Sequence, residues 1–317
     1  MADKNSVIEL KNVSRWYGEI LGVNHISTTI QPGITGLLGS NGAGKSTIMN
    51  LICGLLKPSQ GEITVFGEPI WNNPVPLRRL GYCAQYDSFY EQMTGYEFIS
   101  SLLSIRGYGK DKVHHLTVLA LEQLRMTHAM NKRIASYSKG MRQRVKVALA
   151  IADNPDILIL DEPLNGLDAV GRHEMIELVK TFKNQGCNIL ISSHILHEID
   201  ALTNNILMLR EGYLLAEGEV QEVRELLKQH PHRIYLRCEN PRRLASLLFS
   251  EDGVVSIKLD YDGEGIIAQT YDLDGFYENL NNIVLDNKVN INYISVADEN
   301  TQAVFSYLSG NGAKNDE

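Results

Sequence analysis

The stretch Gly33-Ile-Thr-Gly-Leu-Leu-Gly-Ser-Asn-Gly-Ala-Gly-Lys-Ser-Thr47 decides how the rest of this 317-residue chain is read. It opens as a short apolar run, Gly33 to Leu38, of the kind that forms a buried strand. It then becomes Gly39-x-x-x-x-Gly44-Lys45-Ser46, the phosphate-loop spacing, and a helix is expected from about Ser46 to Cys53. Glycines let the backbone turn tightly and present its N–H groups to phosphate oxygens. Lys45 supplies a fixed positive charge for the outer phosphates of a nucleotide, and the Ser46 hydroxyl is a ligand for Mg²⁺. The helix that starts here adds its positive dipole end. Gly39, Ser40, Asn41, Gly42, Ala43, Gly44, Lys45, Ser46 and Thr47 are therefore all candidates for binding phosphate. The bland alternative is a chance glycine turn before a helix, and the strand-to-helix context argues against it.

Outward from the loop, Val7 to Val13, His25 to Ile30 and Glu62 to Phe66 read as strands, and Leu80 to Ala84 as a short extended segment. A more helical stretch runs from about Thr94 to Arg125, broken around Gly107 to Lys110. Strand Ile157 to Leu160, helix Arg172 to Asn184, strand Asn188 to Ser192 and helix Ile195 to Leu202 follow. Strands alternating with helices imply parallel βαβ units, and in such sheets ligands lie beyond the carboxyl ends of the strands. Strand Ile157 to Leu160 delivers Asp161 and Glu162 to that edge. Asp161 is placed to hold Mg²⁺ through water, and Glu162 to orient and polarise an attacking water; a strand ending in solvated acids is the plain alternative. His194 follows the next strand, and Gln85 follows the Leu80 to Ala84 segment with an amide able to reach the metal or the water. Tyr17, with Trp16, falls in a predicted turn before Gly18. Its ring either stacks on adenine, worth about 1–3 kcal/mol by analogy with nucleic-acid sites, or lies half-buried against the sheet. His197 comes one turn after His194 with no third ligand at metal spacing, which argues against zinc.

Taken in order, these landmarks make residues 1 to about 229 resemble the nucleotide-binding subunit of an ATP-binding-cassette (ABC) transporter. Tyr17 matches that family's adenine-stacking loop, Gly39 to Thr47 its Walker A loop and Gln85 its Q-loop. Tyr137-Ser138-Lys139-Gly140-Met141 matches the signature, Ile157 to Glu162 the Walker B strand, Asn165 to Asp168 the D-loop and His194 the switch histidine. The signature departs from the usual LSGGQ by carrying Lys139 and Met141, while Ser138 and Gly140 remain. Ser138 is also a good N-cap for a helix running to about Asn154, so capping alone is the alternative to anion binding.

The resemblance implies an α/β P-loop domain with a mixed sheet core, an antiparallel β subdomain and a helical subdomain. It implies ATP and Mg²⁺ as cofactors, with Ser46, Gln85 and Asp161 at the metal and Glu162, Gln85 and His194 in catalysis. A second copy, most simply a homodimer, would offer Ser138 and Gly140 to the γ-phosphate, with Asp168 nearby. The SKGM variant resembles the branch that partners exporter permeases of type 2, and the runs Gly81 to Asp87 and Met93 to Gly95 resemble the same branch and the subfamily A lipid exporters.

A break near Gln229 to Pro231 leads into strand Arg233 to Arg237, helix Pro241 to Phe249, strands Val254 to Leu259 and Gly265 to Thr270, helix Leu273 to Ile283 and strand Asn290 to Val296. That βαββαβ order predicts a small α+β, ferredoxin-like accessory domain over 230–310, closed by a helix Thr301 to Leu308, with 311–317 as a frayed tail. From His230 onward there are 7 Lys/Arg against 14 Asp/Glu, so nearly all of the net charge of −8 sits there. A near-neutral first part and an acidic second part give no electrostatic footprint for nucleic acid. Cys53, Cys83, Cys187 and Cys238 lack paired spacing and fit free thiols in a reducing compartment. No apolar run reaches a membrane-spanning length, and the N-terminus lacks a secretion signal. The expected protein is a cytoplasmic ATPase, held at the inner face of the membrane by separate permease subunits. The competing reading is a non-transport ATPase of the same superfamily, a translation or DNA-repair factor. A P-loop kinase or GTPase would leave Ser138, Asn165 to Asp168 and His194 unexplained.

Overall fold

The computed structural model describes residues 6–220, 231–249, 253–260, 263–287 and 289–296. The chain divides into two compact units between Gly218 and Glu219. In the first unit, β1 (Ile8–Tyr17) and β2 (Ile20–Ile30) pair antiparallel, and with β4 (Gln60–Val65) and β5 (Glu68–Pro69) they make a sheet of order β2-β1-β4-β5. A second sheet has the order β10-β9-β3-β8-β7-β6. Its members are β3 (Ile34–Gly39), β6 (Leu80–Cys83), β7 (Ile157–Leu160), β8 (Asn188–Ser193), β9 (Asn205–Arg210) and β10 (Tyr213–Glu219). From β6 to β9 its neighbours run parallel. β10 returns from β9 through Glu211-Gly212, both at positive φ, a two-residue turn open only to antiparallel neighbours. The expected mixed sheet is present.

Helix α1 (Lys45–Ile52) lies between the two sheets. Ile48, Met49, Leu51 and Ile52 are almost fully buried. They share one core with Ile8, Leu10, Val23 and Ile26 from the antiparallel sheet and Leu37, Ile159 and Leu190 from the parallel one. A helix apolar on most of its circumference must be covered on most sides, and two sheets do that here. The loop that leads into α1 is fixed at its far end by this burial.

The short α2 (Pro74–Leu77) precedes β6, and α3 (Gly95–Ile105) and α4 (Lys110–Gln123) form the helical part. A capping box between Thr94 and Glu97 starts α3. Ser138 caps α5 (Lys139–Ile151) and Asp168 caps α6 (Ala169–Asn184), while α7 (Leu196–Asp200) is a turn and a half after β8.

The structure extends the sequence reading in several places. β1 runs on to Tyr17 because register shifts between Leu10 and Trp16 break the alternation that would have announced it. Tyr17 is therefore a strand residue beside the Gly18-Glu19 turn, not a turn residue. β9 and β10 are additional strands: Ile206 to Leu209 is a continuous apolar run, and periodicity alone cannot assign such a run.

The second unit contains β11 (His232–Cys238), α8 (Pro241–Phe249), β12 (Val254–Leu259), β13 (Gly265–Thr270), α9 (Leu273–Asn287) and β14 (Ile291–Val296). Its antiparallel sheet has the order β12-β13-β11-β14, the ferredoxin-like arrangement of a βαββαβ chain. Ile234, Leu236, Ile266 and Ala268 pack beneath Leu244 and Leu248 of α8 and Phe276, Leu280 and Ile283 of α9. The helix expected at Thr301 to Leu308 and the tail 311–317 lie outside the described residues. Among the described residues, no helix is long and apolar enough to cross a membrane.

Met49 is fully buried between the sheets. Met49→Ala should lower the unfolding free energy of the first unit by about 2–5 kcal/mol, read from the midpoint shift in urea at unchanged m-value.

Candidate active site

Strand register gathers the polar residues. Leu38 pairs with Ser193, Leu160 with Ile191 and Cys83 with Leu160. One or two residues further on, the chain therefore places Gly39, His194, Asp161, Glu162 and Gln85 along a single edge of the parallel sheet.

At the centre of that edge is the Glu162 carboxylate, buried at 6% exposure, on a residue held at φ +47°. Such a backbone conformation is unfavourable for a residue with a Cβ, and strain of this kind concentrates at functional sites. Oε1 lies 3.1 Å from Lys45 Nζ. Oε2 accepts from Gln85 Nε2 and Asn165 Nδ2, each at 3.3 Å, and is 3.5 Å from His194 Nδ1. Lys45, itself 6% exposed, also donates to the carbonyls of Gly39 at 2.7 Å and Ser40 at 3.2 Å. A lysine this deep is stable only with its three N–H groups satisfied, and these acceptors satisfy them.

Asp161, 1% exposed, is oriented by Ser192, whose hydroxyl donates to Oδ1 at 2.7 Å and accepts from the Glu162 N–H at 2.8 Å. Burial, reinforced by the Asp161 charge, pushes the Cys53 thiol and the Tyr82 phenol well above their ordinary pKa. Burial likewise pushes Cys83 up to about 12, with Asp161 adding to the rise and Lys146 opposing it. These thiols stay protonated and pack.

The phosphate loop is supported from below by glycines. A Cβ on Gly44 would stand 2.8 Å from the Gly22 carbonyl, and one on Gly212 would stand 3.0 Å from the same oxygen. The Gly212 N–H donates to the Ala43 carbonyl at 3.0 Å, so the β9–β10 turn props the loop directly. Tyr17 stands beside α1, its hydroxyl 3.5 Å from Thr47 Oγ1 and its ring 5.1 Å from the Arg15 guanidinium carbon. At 42% exposure the ring keeps an accessible face.

Ser138, Gly140 and Asp168 are not part of this cluster. With Lys139, Met141 and Gly166 they line a separate open cleft of about 560 Å³. Ser138 Oγ accepts from the Met141 N–H at 3.3 Å, and Asp168 Oδ1 accepts from the Gly171 N–H at 2.7 Å. The Lys139 side chain lies across Gly166, which stands at φ +75°. Arg144 of α5 and Glu174 of α6 form an ion pair beneath the cleft.

Sequence reasoning did not single out Asn165 as a partner of Glu162, nor Ser192 and Gly212. Asn165 was visible only as part of a loop motif. Ser192 and Gly212 act through one hydroxyl and one N–H, which leave no pattern to read. Gly212→Val would force a β-branched residue into a strained backbone against Gly22. It should weaken ATP binding roughly tenfold, about 1.4 kcal/mol, in a fluorescent-nucleotide titration.

Comparison with known proteins agrees with this geometry. The family model described as "ABC transporter" matches residues 23–165. The bacitracin transport ATP-binding protein BcrA of Bacillus licheniformis is 30% identical over 97% of this chain and 99% of its own length. The daunorubicin/doxorubicin resistance ATP-binding protein DrrA of Streptomyces peucetius is 30% identical over 84% of this chain and 81% of its own. A solved structure described as an ATP-binding subunit of an ABC transporter superposes with a TM-score of 0.62 at 28% identity, covering 70% of this chain and 93% of that one. The chain belongs to the ABC transporter family, as one of its ATP-binding, ATP-hydrolysing cassettes.

Proposed function

We propose that this cassette powers export through a separate membrane permease, working as a dimer in which Glu162 activates the water that attacks ATP. The observation that carries the reading is the convergence on one buried carboxylate of Lys45, Gln85, Asn165 and His194. Phosphate oxygens arriving in the Gly39 to Thr47 loop compete with Glu162 for the Lys45 ammonium. Once released from that pair, the carboxylate is free to accept a proton from water, while Gln85, Asn165 and His194 keep it oriented. His194, with a 41% exposed side chain, would reach outward to the γ-phosphate.

The donor set fits Mg²⁺: the Asp161 carboxylate, the Ser46 hydroxyl at the start of α1 and the Gln85 amide oxygen are hard oxygen ligands. Bound with ATP, Mg²⁺ would neutralise charge on the outer phosphates. The Tyr17 ring would cover the adenine.

The open cleft with Ser138, Gly140 and Asp168 would meet the γ-phosphate held by a second, identical subunit, so each chain brings half of each site. The permease would hold the pair at the cytoplasmic face of the inner membrane. Relatives named for bacitracin and for daunorubicin and doxorubicin support an amphipathic cargo. Residues 1–229 would be the nucleotide-binding domain, and 230–310 an accessory domain that regulates or steadies the dimer. Nothing in the charge distribution or the relatives favours a translation or repair factor.

Glu162→Gln should bind ATP, lose at least about 10²-fold in turnover and accumulate as an ATP-bound dimer in size-exclusion chromatography. Normal hydrolysis by that variant would refute the assignment of the base.

A further inference from the structure

Helix α5 does more than present Ser138. It lies so close to β6 that a Cβ on Gly81 would run into the Ala150 carbonyl. One turn earlier on α5, Lys146 is 9% exposed and reaches past the end of β6. Its Nζ donates to the carbonyls of Ala84 at 3.1 Å and Gln85 at 2.9 Å, and pairs with Asp87 Oδ1 at 3.0 Å. An ammonium has three N–H groups, and these three acceptors occupy them. All three belong to one short segment that lies outside any helix or strand and is centred on Gln85.

Two more side chains of α5 hold the chain on either side of that segment. Gln143 Nε2 donates to Cys83 Sγ at 3.7 Å, and Arg142 Nη1 donates to Glu91 Oε1 at 3.0 Å. If filling space were the task, an apolar side chain of the same length would do it without desolvating a charge. What the ammonium adds is direction: it holds the backbone of Gln85 against α5 while the Gln85 amide reaches Glu162.

We propose that Lys146 is a positioning residue for hydrolysis, a strut that ties the helix bearing Ser138 to Gln85 and, through Gln85, to the Glu162 carboxylate. Displacement of α5 at the Ser138 end is thereby felt at Glu162. The proposal rests on the roles given above to Gln85 and Glu162.

The test is steady-state ATP hydrolysis by the 317-residue chain, with the melting temperature of every variant recorded. Lys146→Met keeps the stem and removes the charge. It should lower kcat at least fivefold and leave KM for ATP within twofold. In a Gln85→Ala background the same change should have almost no further effect, because the strut then has nothing to position. Asp87→Asn, which leaves the buried site filled, should give a smaller fall in kcat that also vanishes with Gln85→Ala, and it decides the matter if Lys146→Met does not fold. An unchanged kcat, or effects that multiply with Gln85→Ala, would overturn the strut while leaving the role of Gln85 standing. If Gln85→Ala alone leaves kcat unchanged, the reading of Gln85 has failed and the strut falls with it.

Discussion

The site depends on one buried contact, the 3.1 Å ion pair between Lys45 Nζ and Glu162 Oε1. Glu162 lies just beyond β7, and Lys45 opens α1 after the loop that leaves β3; β8 separates the two strands. At about 4.8 Å per strand, β3 and β7 stand roughly 10 Å apart, so the loop leaving β3 and the end of β7 bring Lys45 and Glu162 together only where the two strands end at the same level. A parallel register that places Leu38 beside Ser193 and Leu160 beside Ile191 meets that condition. Removing one partner from such a pair strands the other charge, at a cost of about 3–5 kcal/mol. The pair therefore acts as a placeholder. Lys45 is kept aimed at the phosphate loop, and Glu162 is kept in place, with its second oxygen already in the grip of Gln85 and Asn165.

Burial of α1 supplies the rigidity this arrangement needs. The helix is packed between two sheets by Ile48, Met49, Leu51 and Ile52, and the loop at its N-terminus is propped by Gly22 and Gly212. A phosphate-binding loop must expose its N–H groups, so it cannot be stabilised by its own side chains. Its order is imported from the apolar helix that follows it and from neighbouring backbone that only glycines let approach. Strain accepted at Glu162, at φ +47°, is sustained by the same surroundings.

Much of this was legible in the sequence, unevenly and for physical reasons. The runs at Gly33 to Leu38 and Ile157 to Leu160 announce buried strands, and the polar residues that follow each run must then lie at one sheet edge. The βαββαβ order of the second unit was readable from well-spaced short segments, and its sheet order follows. β1 outruns the expected Val7 to Val13 because its register shifts erase alternation. Ser192 and Gly212 act through a hydroxyl and a backbone group that leave no pattern in the chain, and Lys146 would read as one more surface charge on a basic helix. Its role appears only when Gly81 brings α5 down onto β6. Partnerships made across strands leave no spacing rule in the chain.

The central claim is that Lys45 exchanges Glu162 for phosphate when ATP enters, freeing the carboxylate. A crystal structure of the unmodified chain with a non-hydrolysable ATP analogue tests it most directly. The account predicts Lys45 Nζ within hydrogen-bonding distance of a phosphate oxygen and beyond ion-pair distance of Glu162, with Gln85 and Asn165 still near Oε2. A Lys45–Glu162 pair that stays at 3.1 Å with nucleotide in the loop would contradict it.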